Sequence, residues 1–169
     1  MSKLTLADLT DAERTRLRVA VHEAGHATWA VLSGARVHGI TAGADDGVVT
    51  FTGEGPHGAE IAYAGIYAEA VFACGGTPSW EDMREAVRNG SAEDREYFGE
   101  TVRVPRHIEP DIRYVMPKVK ALARHLYRHG SATHADVEAA LGVTRDVSVA
   151  LVASCIRSRM GWPVSGGVR

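Results

Sequence analysis

Cysteine is nearly absent from this chain: Cys74 and Cys155 are the two in 169 residues, far apart and in no C-x-x-C pair. A disulfide framework is thereby excluded, and a reducing compartment is expected. Lysine is scarce as well, with Lys3, Lys118 and Lys120 the lysines among 19 basic residues. Those 19 stand against 21 acidic residues for a net charge of −2, so the basic footprint of a nucleic-acid binder is missing. No long stretch is free of charge. The most apolar one, 59–74, carries Glu60 and Glu69, and a carboxylate at mid-membrane is expensive. The opening MSKLTLADLTDAER lacks the apolar core of a signal peptide, and no G-x-x-x-x-G-K-[ST] phosphate loop occurs. The expectation is a soluble, cytoplasmic protein with no membrane segment and no nucleic-acid partner.

What is present is ordinary for a globular fold, 45% apolar and 24% charged, in a length that suits one domain over 1–169. Thr10-Asp11-Ala12-Glu13 has the spacing of a capping box, opening a helix through Val21 and Ala24 to about Ser33, with Gly34 as the stop. Arg36–Ala42 and Val48–Thr52 read as a hairpin across Asp45-Asp46-Gly47. After the glycine-rich loop 53–58, Ala59–Cys74 is apolar nearly all round and reads as a buried helix ending at Gly75-Gly76.

Ser79 caps a short helix ending at Asn89-Gly90, and Ser91 opens another toward Thr101. Beyond Pro105 and Pro110, a helix with Val119, Leu122 and Leu126 stops at Gly130, with Pro117 either near its start or at a kink. Thr133 caps a helix ending at Gly142, and a last one runs to about Met160. The fold class is mainly α (α+β) with one small β-hairpin or edge strand; the helices of about 133–160 are expected to close the core or form an oligomer contact.

His22-Glu23-Ala24-Gly25-His26 is H-E-x-x-H inside the first helix. Residues four apart share a helix face, so both imidazoles can reach one metal ion. Glu23 is turned about 100° from His22 by the helical period, beside the metal rather than on it, where a general base acting on water belongs. The competing reading is an exposed turn with two solvated histidines. Against it stand the apolar or small flanks Val19-Ala20-Val21 and Ala27-Thr28-Trp29-Ala30. Gly25 adds weight: a mid-helix glycine costs about 1 kcal/mol relative to alanine, which points to a close neighbour.

The sequence Ala27–Leu32 lacks the Gly and His of a metzincin, so a third ligand must come from elsewhere. His57, Glu69, Asp82 and Asp94 are the candidates. His57 lies in the glycine-rich loop and can be solvated, and Asp82 suits the first turn of its helix. Glu69, alone on an apolar helix, needs a partner: an arginine, or a metal-ligating histidine that it orients. Asp94 completes a capping box with Ser91. The residues by themselves leave this choice open.

Val19–Ala27 (VAVHEAGHA) resembles the metal-binding helix of the FtsH-type zinc metallopeptidases, the protease domains of membrane-bound AAA proteases. Ala64–Glu69 (AGIYAE) is similar to that family's buried A-G-x-x-A-E helix, and Asn89–Asp94 (NGSAED) to the segment ending in its aspartate ligand. The three occur in the family's order, and the resemblance spans roughly 12–140. It implies a zincin-like metallopeptidase with one Zn2+ per chain, bound by His22, His26 and Asp94, with Glu23 as catalytic base and Glu69 supporting a ligand from behind. It also implies that Val48, Val49, Thr50, Phe51 and Thr52 form an edge strand to which a protein or peptide substrate adds.

The chain departs from the family in lacking the ATPase and its preceding membrane helix, and the connection 75–90 differs from the family's shorter one. The implied activity is therefore ATP-independent and directed to unfolded or extended substrates. Two other classes compete. One is a zincin-like module that binds peptides without turnover. The other is a helix-turn-helix, with Ala139–Thr144 as its turn and Thr144–Arg159 as its reader. That last helix carries Val147, Val149, Leu151, Val152 and Ile156, a composition that suits core or a homo-oligomer contact better than a DNA groove.

Overall fold

Thr10 Oγ1 accepts a hydrogen bond from the Glu13 backbone N–H and the Glu13 carboxylate accepts one from the Thr10 backbone N–H, so the first helix, α1 (Asp11–Leu32), begins on a complete capping box. The computed structural model describes residues 9–97 and 105–163. Every residue of α1 from Ala20 to Val31 is buried. A helix buried all round must be the centre of its fold, and the other elements wrap this one.

A second central helix, α2 (Gly58–Cys74), is buried from Ile61 to Val71 and ends on left-handed Gly75. It crosses α1 at van der Waals contact of the two backbones. A Cβ on Gly25 would lie 2.7 Å from the Ala64 carbonyl oxygen and 2.8 Å from the Gly65 Cα. The mid-helix glycine thus has the close neighbour that its cost suggests.

Between these helices, β1 (Arg36–Ala42) and β2 (Gly47–Thr52) form the expected antiparallel hairpin, with Ile40 opposite Val49 and an irregularity between Val37 and Gly39. A third strand, β3 (Ser131–Ala132), pairs with the far side of β1, giving the order β2-β1-β3. β2 is therefore an edge strand. Its even positions are exposed, while Val49 and Phe51 pack against the core.

The short α3 (Trp80–Asn89) starts on a Ser79–Asp82 capping box, and α4 (Ala92–Tyr97) follows Gly90. The sequence takes this last helix toward Thr101, a stretch that lies partly outside the described residues. α5 (Glu109–His129) opens with Pro110 in its first turn and carries Pro117 in its interior. Its buried face, Ile112, Val115, Val119, Leu122 and Leu126, lies against the core. α6 (His134–Leu141) is capped by Thr133, and α7 (Val149–Ser158) by Ser148.

α7 begins five residues later than Thr144, because Thr144 and Val147 pair with each other in a tight turn. Its residues Val152, Ala153, Cys155 and Ile156 are buried, so this apolar face belongs to the core. The fold is mainly helical with a small three-stranded antiparallel sheet. Among the described residues, no helix is long and apolar enough to cross a membrane.

Candidate metal centre

His22 and His26 lie one turn apart on the buried middle of α1, with their rings edge to face at 4.5 Å between centroids. Each ring is oriented through its Nδ1. His22 Nδ1 donates to Glu69 Oε2 at 3.0 Å, and His26 Nδ1 donates to the Ile61 carbonyl at 2.8 Å. With both Nδ1 atoms so engaged, the two Nε2 atoms face each other across 2.9 Å, and each can offer a lone pair to a metal once its ring is neutral.

Asp94 completes the ring of acceptors. Its Oδ2 lies 3.2 Å from His22 Nε2 and its Oδ1 lies 3.3 Å from His26 Nε2. One donor atom from each of His22, His26 and Asp94 falls within 4.8 Å of the others, and all three residues are buried. Three lone-pair groups aimed at one point repel one another unless a cation stands among them. This donor set, two imidazoles and a carboxylate, fits a zinc ion with an open position.

The protonation tendencies follow from the same crowding. Burial pushes the His22 imidazole down, but hydrogen bonds to Asp94 and Glu69 and the charge of Glu23 outweigh it and lift it to about 10. Burial pushes Asp94 up, yet the two histidines prevail and hold it far below the usual carboxylate range.

Asp94 also caps α4. Its Oδ2 accepts from the Ser91 backbone and from Ser91 Oγ, each at 2.9 Å, and its own backbone donates to Ser91 Oγ at 3.0 Å. The same carboxylate thus caps α4 and faces both imidazoles, so the cap does not keep it from the histidine pair. Glu69 likewise serves both partners open to it: Oε2 accepts from His22, while Oε1 accepts from Arg18 Nη2 at 2.7 Å, Arg18 Nε at 3.0 Å and Asn89 Nδ2 at 3.2 Å. Asn89 carries no sequence signal for this role. Arg18 does, since it precedes His22 by one turn on the same face.

The other two candidates for a third ligand lie elsewhere. His57 Nδ1 donates to Glu60, and Asp82 completes the Ser79 capping box. The ring of His26 rests on Gly65, where a Cβ would overlap it. Glu23 is buried beside the cluster, and its Cγ would lie 2.6 Å from a Cβ on Gly47. It forms no side-chain hydrogen bond among the described residues, and burial raises its carboxyl above the ordinary range despite the neighbouring imidazoles.

A cleft of about 190 Å³ opens beside this carboxylate, with Glu23, His26 and Asp94 on one wall and Val48, Val49 and Phe51 on another. Of the five strand residues expected to meet substrate, these three line it. Thr50 and Thr52 instead hydrogen-bond to Gly39 and His38 of β1.

Residues 13–85 match the profile of a family described as Peptidase M50B-like. No curated protein and no solved structure matches the chain. The matched segment contains His22, Glu23, His26 and Glu69 and stops short of Asp94. It supports a metallopeptidase-like domain.

Proposed function

We propose that this chain is a zinc-dependent endopeptidase that cleaves unfolded or extended polypeptides without ATP, with His22, His26 and Asp94 holding the metal and Glu23 as general base. The observation that carries the reading is the convergence of three buried acceptors beside a carboxylate with no side-chain hydrogen bond among the described residues. The M50B-like match and the FtsH-type motifs belong to different metallopeptidase families. They agree on the coarser point, a metallopeptidase built on this helix. The FtsH-type pattern supplies in addition a reason for an aspartate at position 94.

Zinc, when bound, supplies a Lewis acid that polarises a peptide carbonyl and lowers the pKa of water toward about 7. Glu23 takes the proton of the attacking water and delivers it to the leaving amine. Its raised affinity for a proton suits both transfers. Glu69, tied down by Arg18 and Asn89, keeps Nδ1 of His22 protonated and so keeps Nε2 free to bind metal. The exposed edge of β2 aligns an extended chain across the cleft.

The test is metal analysis of the purified protein combined with cleavage of casein or an unstructured peptide, with and without chelator. Zinc near one per chain with chelator-sensitive cleavage is expected, and Glu23→Gln should keep the zinc and abolish the cleavage. Bound zinc without any cleavage would instead select a peptide-binding module. Substantial cleavage by Glu23→Gln would remove Glu23 from its role.

A further inference from the structure

His22, His26 and Asp94 stand between two clefts. Beside the one described above opens a second, of about 320 Å³, and Glu23, Gly47 and Ser91 border both. The pair is laid out along α1 and β2 together. The first cleft takes His26 of α1 and Val48, Val49 and Phe51 of β2. The second takes Arg18 and His22, nearer the start of α1, and Asp45 and Asp46 from the turn that leads into β2. An extended chain lying along the free edge of β2 therefore passes from one cleft to the other at the histidine pair.

The two halves differ in chemistry. The β2 wall of the first is apolar, with Val48 52% exposed, and Glu54 is its one carboxylate besides Glu23 and Asp94. The second carries uncompensated negative charge. Its guanidinium, Arg18, is already taken up by Glu69 at 2.7 Å and Glu85 at 3.6 Å. Asp45 and Asp46 are exposed, and neither side chain forms a hydrogen bond or ion pair among the described residues. The turn that carries them is closed by the Gly43 N–H, which donates to the Asp46 carbonyl at 2.7 Å. Glu23, 6% exposed and likewise without a side-chain hydrogen bond among the described residues, lies where the two clefts meet.

From this division we infer that the preferred substrate is an extended polypeptide with a lysine or arginine on one side of the scissile bond and an apolar residue on the other. The cation meets Asp45 and Asp46, and the apolar side chain lies against Val48, Val49 and Phe51. For the bond that is cut, the inference rests on the peptidase reading above; for the charge preference, it rests on the two clefts. Strand addition alone reads only backbone, so sequence preference must come from what flanks the strand. Complementary charge draws in the basic partner, and like charge sets an acidic one against two carboxylates that no cation neutralises.

The test uses the full chain with zinc added and a set of unstructured, fluorescein-labelled nonapeptides. Each has one central leucine, with lysine, glutamine or glutamate stepped through the flanking positions, and mass spectrometry of the products locates the cut. Cleavage should be fastest with lysine on one side of the cut bond, and glutamate in its place should lower kcat/KM by about tenfold or more. The double variant Asp45→Lys/Asp46→Lys, at two exposed turn positions, should reverse that order, which loss of structure cannot do. Cleavage indifferent to charge, or an unreversed order in the variant, would overturn the inference and leave the peptidase reading standing. If no peptide is cut, that reading falls, and fluorescence anisotropy of the same peptides decides the inference. Tighter binding of the lysine peptides, reversed in the double variant, upholds it; equal binding of lysine and glutamate peptides overturns it.

Discussion

Four contacts meet on the two oxygens of Asp94: two from Ser91 and one from each of the His22 and His26 imidazoles. This makes the residue's two roles separable by experiment. Asp94→Asn keeps an oxygen able to accept the capping bonds but loses the charge that favours zinc. It should fold, bind zinc poorly and be inactive, as measured by metal content and peptide cleavage. Ser91→Ala removes a cap, costing about 0.5–2 kcal/mol. Because Ser91 also aims the carboxylate, zinc affinity should fall by roughly 10- to 100-fold, the usual effect of losing a ligand's orienting partner. Unchanged zinc affinity in Ser91→Ala would reduce it to a cap alone, and normal zinc in Asp94→Asn would move the third ligand elsewhere. The sequence could present these roles only as alternatives, because spacing shows that a carboxylate caps its helix and not where its second oxygen points. Glu69 posed the same difficulty: arginine and histidine were rival partners on paper, and two carboxylate oxygens accommodate both.

At the scale of elements, the close crossing of α1 and α2 is the feature most sensitive to a single methyl. Gly25→Ala would gain about 1 kcal/mol of helix propensity. Its Cβ, however, would meet backbone atoms at 2.7 and 2.8 Å that cannot swing aside. Overpacking of this kind costs about 1–3 kcal/mol, so a net loss of thermal stability with displaced histidines is expected, and a more stable variant would show that the helices can separate freely. Helix starts respond to pH instead. Hydrogen bonds from Thr133 hold the Asp136 carboxyl below its ordinary value of 3.8. A depressed folded-state pKa contributes stability that is present above the unfolded value and is lost as pH falls through the folded one. The melting-temperature advantage of the native chain over Asp136→Asn should therefore shrink as pH falls from 6 toward 2. An advantage independent of pH would mean that the charge contributes nothing. The helix caps at Thr10, Ser79 and Thr133 were legible in the sequence because their chemistry is local. β3 was not, since Ser131–Ala132 has no strand pattern of its own and exists by pairing with β1. Pro117 was ambiguous because its place inside α5 depends on where that helix starts.

For the molecule as a whole, the arrangement places His22, Glu23 and His26 on its central buried helix and the strand proposed to bind substrate at the edge of the sheet. α1 is buried by every layer around it, whereas β2 has one neighbour and an open side facing the same cleft as Glu23. If substrate adds to that edge, it must be extended, and only alternate residues can turn their backbone N–H and C=O groups toward β2. A peptide series with a single N-methyl group moved one residue at a time along the segment flanking the scissile bond tests this directly. Cleavage efficiency should fall at every second position and be little changed between them, the loss appearing mainly in KM because strand pairing positions the chain before chemistry. Addition of ATP should leave all these rates unchanged, since no phosphate loop occurs in the sequence. Methylation that hurts adjacent positions equally, or none at all, would show that side chains rather than the strand edge hold the substrate, and β2 would then be no more than a wall of the cleft.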